Sequence, residues 1–439
     1  MAAPHPLDPL SVAEVTRAAA AARAHGATLG AHKLRFNTVT LAEPAKTALL
    51  AFEHAGGPRP PRRALCVLHT PPNADVVEAL VALPSDGGAD AVDDWKVLAG
   101  DTLAGQPLAT PDDCLLAEAV VRADAGVTAL LLERGIEPST LFLDPWAVHA
   151  APRSAMRLIQ VFCYLRLMPD DNEYSHPLDI IPWVDLGTER VVRIEQYDAP
   201  PPVPKGENGQ YHERLVTLPF RSDLRKLHVV QPDGPSFVVE GNAVRWQHWN
   251  LRVGFNAREG LVLHGVSYDD PHSGGAQRAV AHRLSIAELA VPYGDPRPPY
   301  TRKCALDAGD YGLGFAANSL ALGCDCLGHV HYFDGVVNDA TGAPVVIKNA
   351  VCMHEEDVGL LWKHLDYRAG TAQSRRARRL VISFIMTAIN YGAPIAHARS
   401  DAAALWLREL ALLTAAAPLQ RQSIAFTGTL AWTAPFSTR

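Results

Sequence analysis

The first hundred residues show a helical pattern followed by strand patterns. Ser11 and Glu14 have the spacing of a capping box, and the Ala-rich run behind them ends at Gly26, a residue type that commonly closes helices. Short β-prone runs follow, separated by turns rich in Pro and Gly. They lie at 33–41, 64–69 and 76–83. The pattern predicts a small α+β domain over 1–98.

The next hundred residues repeat this order of elements. Thr110 and Asp113 have the spacing of a second capping box, with proline at the first helical position. Strand-like runs follow at 158–167 and 180–196. We therefore expect a second small α+β domain over 99–200, although no repeat is visible residue by residue.

The pattern changes after a Pro-rich connector at 199–206. From 237 to 384, many short β-prone runs alternate with turn signals and few helical periods occur, which predicts a β-sandwich. Beyond it, a Leu- and Ala-rich helix is predicted at 401–417, before a Thr/Ser-rich end that does not continue the sandwich. The predicted class is thus α+β, with a third domain over 201–391 and a tail over 392–439.

Composition and charge exclude several classes of function. Of 439 residues, 48% are hydrophobic, and 32 Gly with 34 Pro are too few for a low-complexity chain. A net charge of −7 offers no basic field for a nucleic acid or an anionic membrane surface. The N-terminus lacks the basic start and apolar core of a signal peptide, and no apolar run reaches the ~20 residues that cross a bilayer. We expect neither nucleic-acid nor membrane partners.

Two histidine-containing clusters carry residue types that bind metals. His329 and His331 would share one face of a strand, because side chains alternate with period two. Such pairs are more often ordinary strand residues, and a metal role would need a third ligand nearby. His354 is followed by three acidic residues, for which a solvated loop is the more frequent structure.

The seven cysteines are too few for a disulfide scaffold, and their odd number leaves at least one thiol free. Cys324 and Cys326 are separated by one residue, which is too tight for two comfortable ligands of one zinc ion. A disulfide from one of this pair to Cys352 is an equal alternative. Spacing alone does not choose between these roles.

A series of motifs resembles copper-dependent primary amine oxidases. The segment Thr387-Ala-Ile-Asn390-Tyr391 resembles the family's cofactor-tyrosine motif, and further segments resemble its catalytic domain in the same order. These are VRWQHWNLRVGFNAREGLVLHGVSYDD, VPYGDP, LDAGDYGLG, ANSLALGCDCLG, CMHEEDVGLLWKH and RRLVISFI. Earlier segments, SVAEVTRA and DNEYSHPLDIIPWVDL, resemble the family's two small α+β domains. The resemblance extends from about residue 6 to Tyr391.

The resemblance implies a quinone chemistry. In this family a tyrosine is oxidised, with bound copper and oxygen, to topaquinone; here that residue would be Tyr391, positioned by Asn390. The quinone forms a Schiff base with a primary amine, and a carboxylate removes a proton from the carbon that bears nitrogen. Asp307 matches this proton acceptor. Aldehyde, ammonia and hydrogen peroxide would be the products.

Other positions match the family in part. Tyr293 matches a tyrosine of the substrate channel, and Cys326 with Cys352 match the family's disulfide. The family's copper is held by three histidines that follow the cofactor tyrosine, whereas His397 is the only histidine there and lies in no matching context. We therefore expect no metal ligand of the family pattern in this chain, and an incomplete sandwich over 201–391.

Two functions follow from these matches. The preferred one is a copper- and topaquinone-dependent primary-amine oxidase whose sequence is truncated just after the cofactor tyrosine. The alternative is a catalytically inactive truncated homologue without the copper site. The resemblance implies a small primary amine and O2 as substrates and a homodimer, and the absence of a signal peptide favours a cytoplasmic or peroxisomal location.

Overall fold

The computed structural model of the chain is a mixed α and β protein. It describes residues 4–73, 75–84, 88–99, 106–148, 156–197, 210, 212–216, 222–323, 325–368, 370–384 and 430–436. Four α-helices and five antiparallel sheets lie in these ranges. This arrangement confirms the predicted α+β class. Within the same ranges, no helix has both the length and the apolarity needed to cross a membrane.

The first module packs a helix against a four-stranded sheet. At the predicted capping box, the Ser11 amide donates to Glu14 Oε2 at 2.9 Å and the Glu14 amide donates to Ser11 Oγ at 3.3 Å. The elements are α1 (Val12–Thr28), β1 (Arg35–Leu41), α2 (Lys46–His54), β2 (Arg63–His69), β3 (Val76–Ala82) and β4 (Ala91–Leu98). The sheet order is β1-β2-β3-β4.

Two elements of this module lacked a sequence signal. Helix α2 begins after Ala45, which makes no side-chain capping bond, so no capping residue marks its start. Strand β4 has no buried residue, so it lacks the alternation of apolar and polar positions by which half-buried strands are recognised.

The second module repeats the helix-on-sheet arrangement. Thr110 Oγ1 accepts from the Asp113 amide at 3.2 Å, so Thr110 caps the first helix of this module as predicted. The elements are α3 (Pro111–Ala123), α4 (Ala125–Glu133), β5 (Leu141–Ala147), β6 (Leu158–Leu165), β7 (Ile180–Asp185) and β8 (Arg190–Gln196), in the sheet order β5-β6-β7-β8. The run predicted at 180–196 is therefore a hairpin of two strands.

The third region is a sandwich of two sheets with one shared core. The first sheet contains β9 (Phe237–Glu240), β10 (Ala243–Trp246), β11 (Trp249–Asn256), β12 (Gly260–Asp270) and β13 (Ala276–Leu284). After a short hairpin of β14 (Ala290–Pro292) and β15 (Cys304–Leu306), the second sheet contains β16 (His331–Asn338), β17 (Pro344–Asp366), β18 (Thr371–Ser383) and β19 (Leu430–Phe436). Core residues from both sheets include Trp246, Leu263, Met353 and Ile382. The predicted sandwich is confirmed.

Strand β19 corrects the prediction for the end of the chain. It pairs antiparallel with β18 from Arg376 opposite Phe436 to Ile382 opposite Leu430, although the sequence predicts that this end does not continue the sandwich. The physical reason is that a strand edge offers free N–H and C=O groups to any extended segment, whatever its side-chain pattern. The helix predicted at 401–417 lies outside the described residues.

The hairpin β14–β15 and the turn behind it connect the sandwich to the second module. Ala305 packs among aromatic residues of β5, β6 and β7, and Tyr311 packs in the core beneath α3 and α4. The Tyr311 hydroxyl accepts a hydrogen bond from the Ala147 amide at 3.3 Å. The junction therefore holds the hairpin against the second module.

Candidate active site

Asp307 begins a tight turn at the end of the hairpin. Residues Asp307–Tyr311 form one π-helical turn, and the Asp307 amide donates to the Leu289 carbonyl at 2.7 Å. One oxygen of Glu288 accepts from the amides of Ala308 and Gly309 at 3.1 and 3.2 Å. Backbone bonds on both sides of the turn thus fix the main chain from which the Asp307 carboxyl extends.

The surroundings of Asp307 disfavour its negative charge. Its side chain is half-buried, and burial, together with the negative charges of Asp310 and Glu288, raises the pKa of Asp307 to about 6. A carboxylate with a pKa near neutrality can accept a proton and remain largely ionised at pH 7. Asp307 therefore has the electrostatic character of a general base.

Tyr293 and Trp146 form an aromatic wall in the same region. Their ring centroids lie 5.2 Å apart with planes at 79°, an edge-to-face contact. Trp146 is buried, whereas half of Tyr293 is exposed. Burial and the negative charges of Asp144 and Asp307 raise the pKa of Tyr293, which keeps its hydroxyl protonated at neutral pH. The exposed part of this ring is available to a ligand.

Lys303 is a buried cation behind this wall. Its Nζ donates to the Tyr164 hydroxyl and lies 3.7 Å from Asp144 Oδ2. Four aromatic rings surround the ammonium group at distances typical of cation–π contacts. Nζ lies 4.6 Å from the ring centroid of Phe162, 4.8 Å from Trp146, 5.1 Å from Tyr164 and 5.9 Å from Tyr293.

Burial dominates the electrostatics of this ion pair. It lowers the pKa of Lys303 despite the opposing charge of Asp144, and it raises the pKa of Asp144 despite Lys303. Sequence reasoning missed Lys303, Asp144 and Trp146. Lys303 carried no local signal, because its hydrogen-bond partner Tyr164 lies 139 residues earlier in the chain.

The predicted cysteine and acidic clusters have different outcomes. Cys326 and Cys352 form a disulfide, as the resemblance implies. The solvated loop expected after His354 is wrong, because these residues lie inside strand β17. Glu355 is only 4% exposed and accepts hydrogen bonds from Trp246 Nε1, Gln231 Nε2 and the Ser236 amide at 2.7–2.8 Å. The three donors satisfy the buried carboxylate, so Glu355 stabilises the sheet and does not face solvent.

The other candidate histidines contact aromatic rings. His329 lies edge-on to Phe237 at 6.4 Å, and His331 lies 4.7 Å from Phe333. Neither belongs to the one group of three metal-ligating side chains that the described ranges contain, Cys326, Cys352 and His354. Both sulfurs of that group are in the disulfide, and the group contains one histidine rather than three. The described residues therefore do not fit the three-histidine copper site expected by family.

Four of the residues considered from the sequence lie outside the described residues: Asn390, Tyr391, His397 and Cys324. The roles assigned to Asn390 and Tyr391 therefore stay predictions, as does the absence of family copper ligands after Tyr391.

Comparison with known proteins adds independent information. Residues 5–83, 112–214 and 238–397 match the family models for the copper amine oxidase N2 domain, N3 domain and enzyme domain. Over 391 residues the chain is 43% identical to a primary amine oxidase of Arthrobacter sp. (strain P1), covering 88% of this chain and 57% of that protein. It is also 40% identical over 369 residues to a peroxisomal primary amine oxidase of Pichia angusta, covering 82% of this chain and 52% of that protein.

The solved structures give the same similarity. A copper-containing benzylamine oxidase from Hansenula polymorpha superposes with a TM-score of 0.76 and 31% sequence identity, covering 88% of this chain and 61% of that chain. The chain thus spans a little over half the length of the curated relatives it matches.

Proposed function

Because the chain belongs to the copper amine oxidase family, we propose that it serves the oxidative deamination of primary amines, with Asp307 as the proton acceptor. The observation that carries this proposal is the half-buried Asp307 carboxyl, whose pKa is raised to about 6 and whose charge acts on the partly exposed Tyr293. The C–H proton next to the nitrogen of an amine becomes acidic only after the amine is attached to an electron sink. The base must therefore lie close to the surface that holds the substrate.

In the proposed reaction, Asp307 receives the proton from the carbon that bears nitrogen. Above its raised pKa the carboxylate is ionised and ready to accept. The hydrogen bonds from Ala308 and Gly309 to Glu288 hold the turn, so the carboxyl keeps its position while its charge changes. Afterwards the protonated acid can donate to a leaving group in the same place.

Tyr293 would bind the apolar part of the amine, with the buried Trp146 supporting its ring. Their edge-to-face contact leaves one aromatic face toward the ligand, and the exposed half of Tyr293 would lie toward the entrance. Lys303 would act as a positioning residue, because its ammonium group contacts both rings from behind.

The cofactor assignments are part of the same proposal. Tyr391 would be the precursor of topaquinone and Asn390 its positioning residue; topaquinone, when formed, supplies the electron sink that takes two electrons from the amine. Copper is expected by family. The one group of three metal-ligating side chains among the described residues, two cysteines and a histidine, does not fit the family's three-histidine copper site.

The partners and location are proposed on the same grounds. We expect a small primary amine and O2 as substrates, a homodimer, and a cytoplasmic or peroxisomal location. A relative named as a peroxisomal primary amine oxidase supports this location.

The test is the chemical state of Tyr391. Purified chain is incubated with copper and oxygen, stained for quinone, and digested with trypsin, which releases Tyr391 in the peptide 380–399. A gain of two oxygen atoms with loss of two hydrogen atoms on Tyr391, absent from a Tyr391→Phe variant, supports the oxidase. An unmodified peptide without quinone stain supports the inactive homologue.

A further inference from the structure

A second cluster of chemically reactive side chains lies in the sandwich, among residues that the proposed oxidation does not use. Cys326, Cys352 and His354 each offer a ligand atom, and these three atoms lie within 4.8 Å of one another. All three residues are buried, at 3%, 0% and 7% exposure. Cys352 and His354 are two residues apart on β17 and therefore share one face of the sheet.

His354 is held in an orientation that suits a metal ligand. Its Nε2 lies 3.0 Å from Glu356 Oε1, while its Nδ1 is buried and has no hydrogen-bond partner among the described residues. Glu356 accepts a hydrogen bond from Arg379 Nε at 2.8 Å on its other oxygen, so this carboxylate is paired with a guanidinium and acts as the acceptor toward His354. Nε2 is then the donor, and in the neutral ring the lone pair is on Nδ1.

This arrangement is typical of metal-binding histidines. Such a histidine commonly donates one ring N–H to a carboxylate, which fixes the tautomer and aims the other nitrogen at the ion. A buried nitrogen without a partner costs free energy unless something binds it. The Tyr332 hydroxyl, which packs against the same cysteines and lies opposite Cys352, is also buried without a hydrogen-bond partner among the described residues. Two buried polar atoms beside the cysteines thus have unused hydrogen-bonding or ligating capacity.

We propose that the dithiol form of Cys326 and Cys352 binds one thiophilic d10 cation such as Zn2+, together with His354 Nδ1. Tetrahedral zinc has Zn–S bonds of about 2.3 Å, which puts two sulfurs roughly 3.8 Å apart. Reduction would release the sulfurs to reach that separation with small side-chain movements. Two thiolates and one imidazole leave a fourth position for water, a donor set that selects soft cations.

The chemistry is balanced by a named reductant. A trialkylphosphine reduces the disulfide with two electrons and becomes a phosphine oxide; water supplies the oxygen atom, and its two hydrogen atoms end on the two thiols. Binding of Zn2+ then releases the two thiol protons to solvent. In a reducing compartment, where protein thiols are kept reduced, this form would be the prevailing one. The disulfide and the metal would be alternative crosslinks between the segment that contains Cys326 and strand β17.

The test compares zinc binding by the oxidised and reduced chain. The full chain is reduced with a phosphine under nitrogen, freed of reductant, and dialysed against Zn2+ alone; bound zinc is measured by mass spectrometry. We expect one more equivalent of zinc in the reduced than in the oxidised chain. With Co2+ instead, the reduced chain should show thiolate-to-cobalt charge-transfer absorption.

Variants decide whether the proposed ligands hold the ion. Cys326→Ser retains the other six cysteines and should lose the extra equivalent and the cobalt absorption. His354→Gln should weaken zinc binding by more than about tenfold, and Glu356→Gln by about 10–100-fold, without change in the disulfide of the oxidised chain.

The matched control is His331→Gln, on the neighbouring strand. His331 pairs with Met353 and so lies on the opposite face from His354. This variant should bind zinc like the parent chain. Equal zinc binding by the oxidised chain, by reduced Cys326→Ser, or by His354→Gln would overturn the proposal, as would an equal loss in His331→Gln.

Discussion

Asp307 and Glu356 are two partly buried carboxylates of the same domain, and their pKa values are shifted in opposite directions. Burial and the like charges of Asp310 and Glu288 raise the pKa of Asp307 to about 6. The hydrogen bond from His354 and the charge of Arg379 lower the pKa of Glu356 to about 2 although it is also buried. Burial disfavours the charged form of both carboxyl groups, and the neighbouring charges and hydrogen bonds decide whether the pKa rises or falls.

The difference separates a reactive group from a structural one. Within the described part of the chain, Asp307 has carboxylates as neighbours and makes its hydrogen bonds in the turn through its backbone, so its side chain is ready to take up a proton. Glu356 accepts from Arg379 Nε at 2.8 Å across the β17–β18 pair and holds the strands together. The raised pKa of Asp307 comes from like charges and burial and makes it a functional candidate, whereas the lowered pKa of Glu356 follows from its hydrogen bonds with His354 and Arg379.

The largest effect is expected from removal of the proton acceptor. In a chain that carries the quinone, Asp307→Asn should lower kcat/KM for a primary amine by about 10²–10⁴-fold, because the amide cannot accept the proton. Steady-state peroxide release measures the loss. The matched control is Asp295→Asn, a partly exposed aspartate in the loop of the same hairpin paired with Arg297, which should leave kcat/KM unchanged. Equal losses in both variants would contradict the role of Asp307.

A second change removes the cation behind the aromatic wall. Lys303→Met should destabilise the chain by about 3–5 kcal/mol, because it leaves Asp144 buried without its counter-charge. Urea unfolding at pH 7 measures the effect. The double variant Lys303→Met/Asp144→Asn should recover most of the stability, since neither charge then remains. A double variant no more stable than Lys303→Met would contradict the ion-pair account.

The contribution of Glu356 to stability should depend on pH. Because the pKa of Glu356 is lowered from 4.5 to about 2, its stabilisation is complete above the unfolded value and is lost as pH falls toward 2. Glu356→Gln should therefore cost about 1–2 kcal/mol at pH 7, after allowance for solvent screening, and less at pH 3.5. Paired urea titrations at the two pH values give the difference. A cost that does not fall at the lower pH would contradict this assignment.

The smallest effect tests the cause of the raised pKa. Glu288→Gln removes one negative charge near Asp307 but keeps an oxygen to accept from Ala308 and Gly309, so the pKa of Asp307 should fall by less than about one unit. A carboxyl-carbon NMR titration, with Asp307→Asn to identify the signal, measures it without any cofactor. An unchanged midpoint would assign the raised pKa to burial and Asp310.

Local patterns along the chain predicted elements whose signals are local. The capping boxes at Ser11 and Thr110 formed as predicted, because their bonds join residues three apart. Helix α2, without a capping side chain, and the exposed strand β4 were missed. The acidic residues after His354 were wrongly assigned to a solvated loop, because their partners Trp246 and Arg379 are distant in the chain.

By itself, the sequence determined the α+β class, the order of the domains, the family and the candidate base, because periodicity, caps and motifs are written in consecutive residues. The tertiary structure decided which groups meet: the rings around Lys303, the carboxylates around Asp307, and the cysteines beside His354. These contacts join residues far apart in the chain, and the energies of charges depend on distance and burial. No local pattern encodes either quantity.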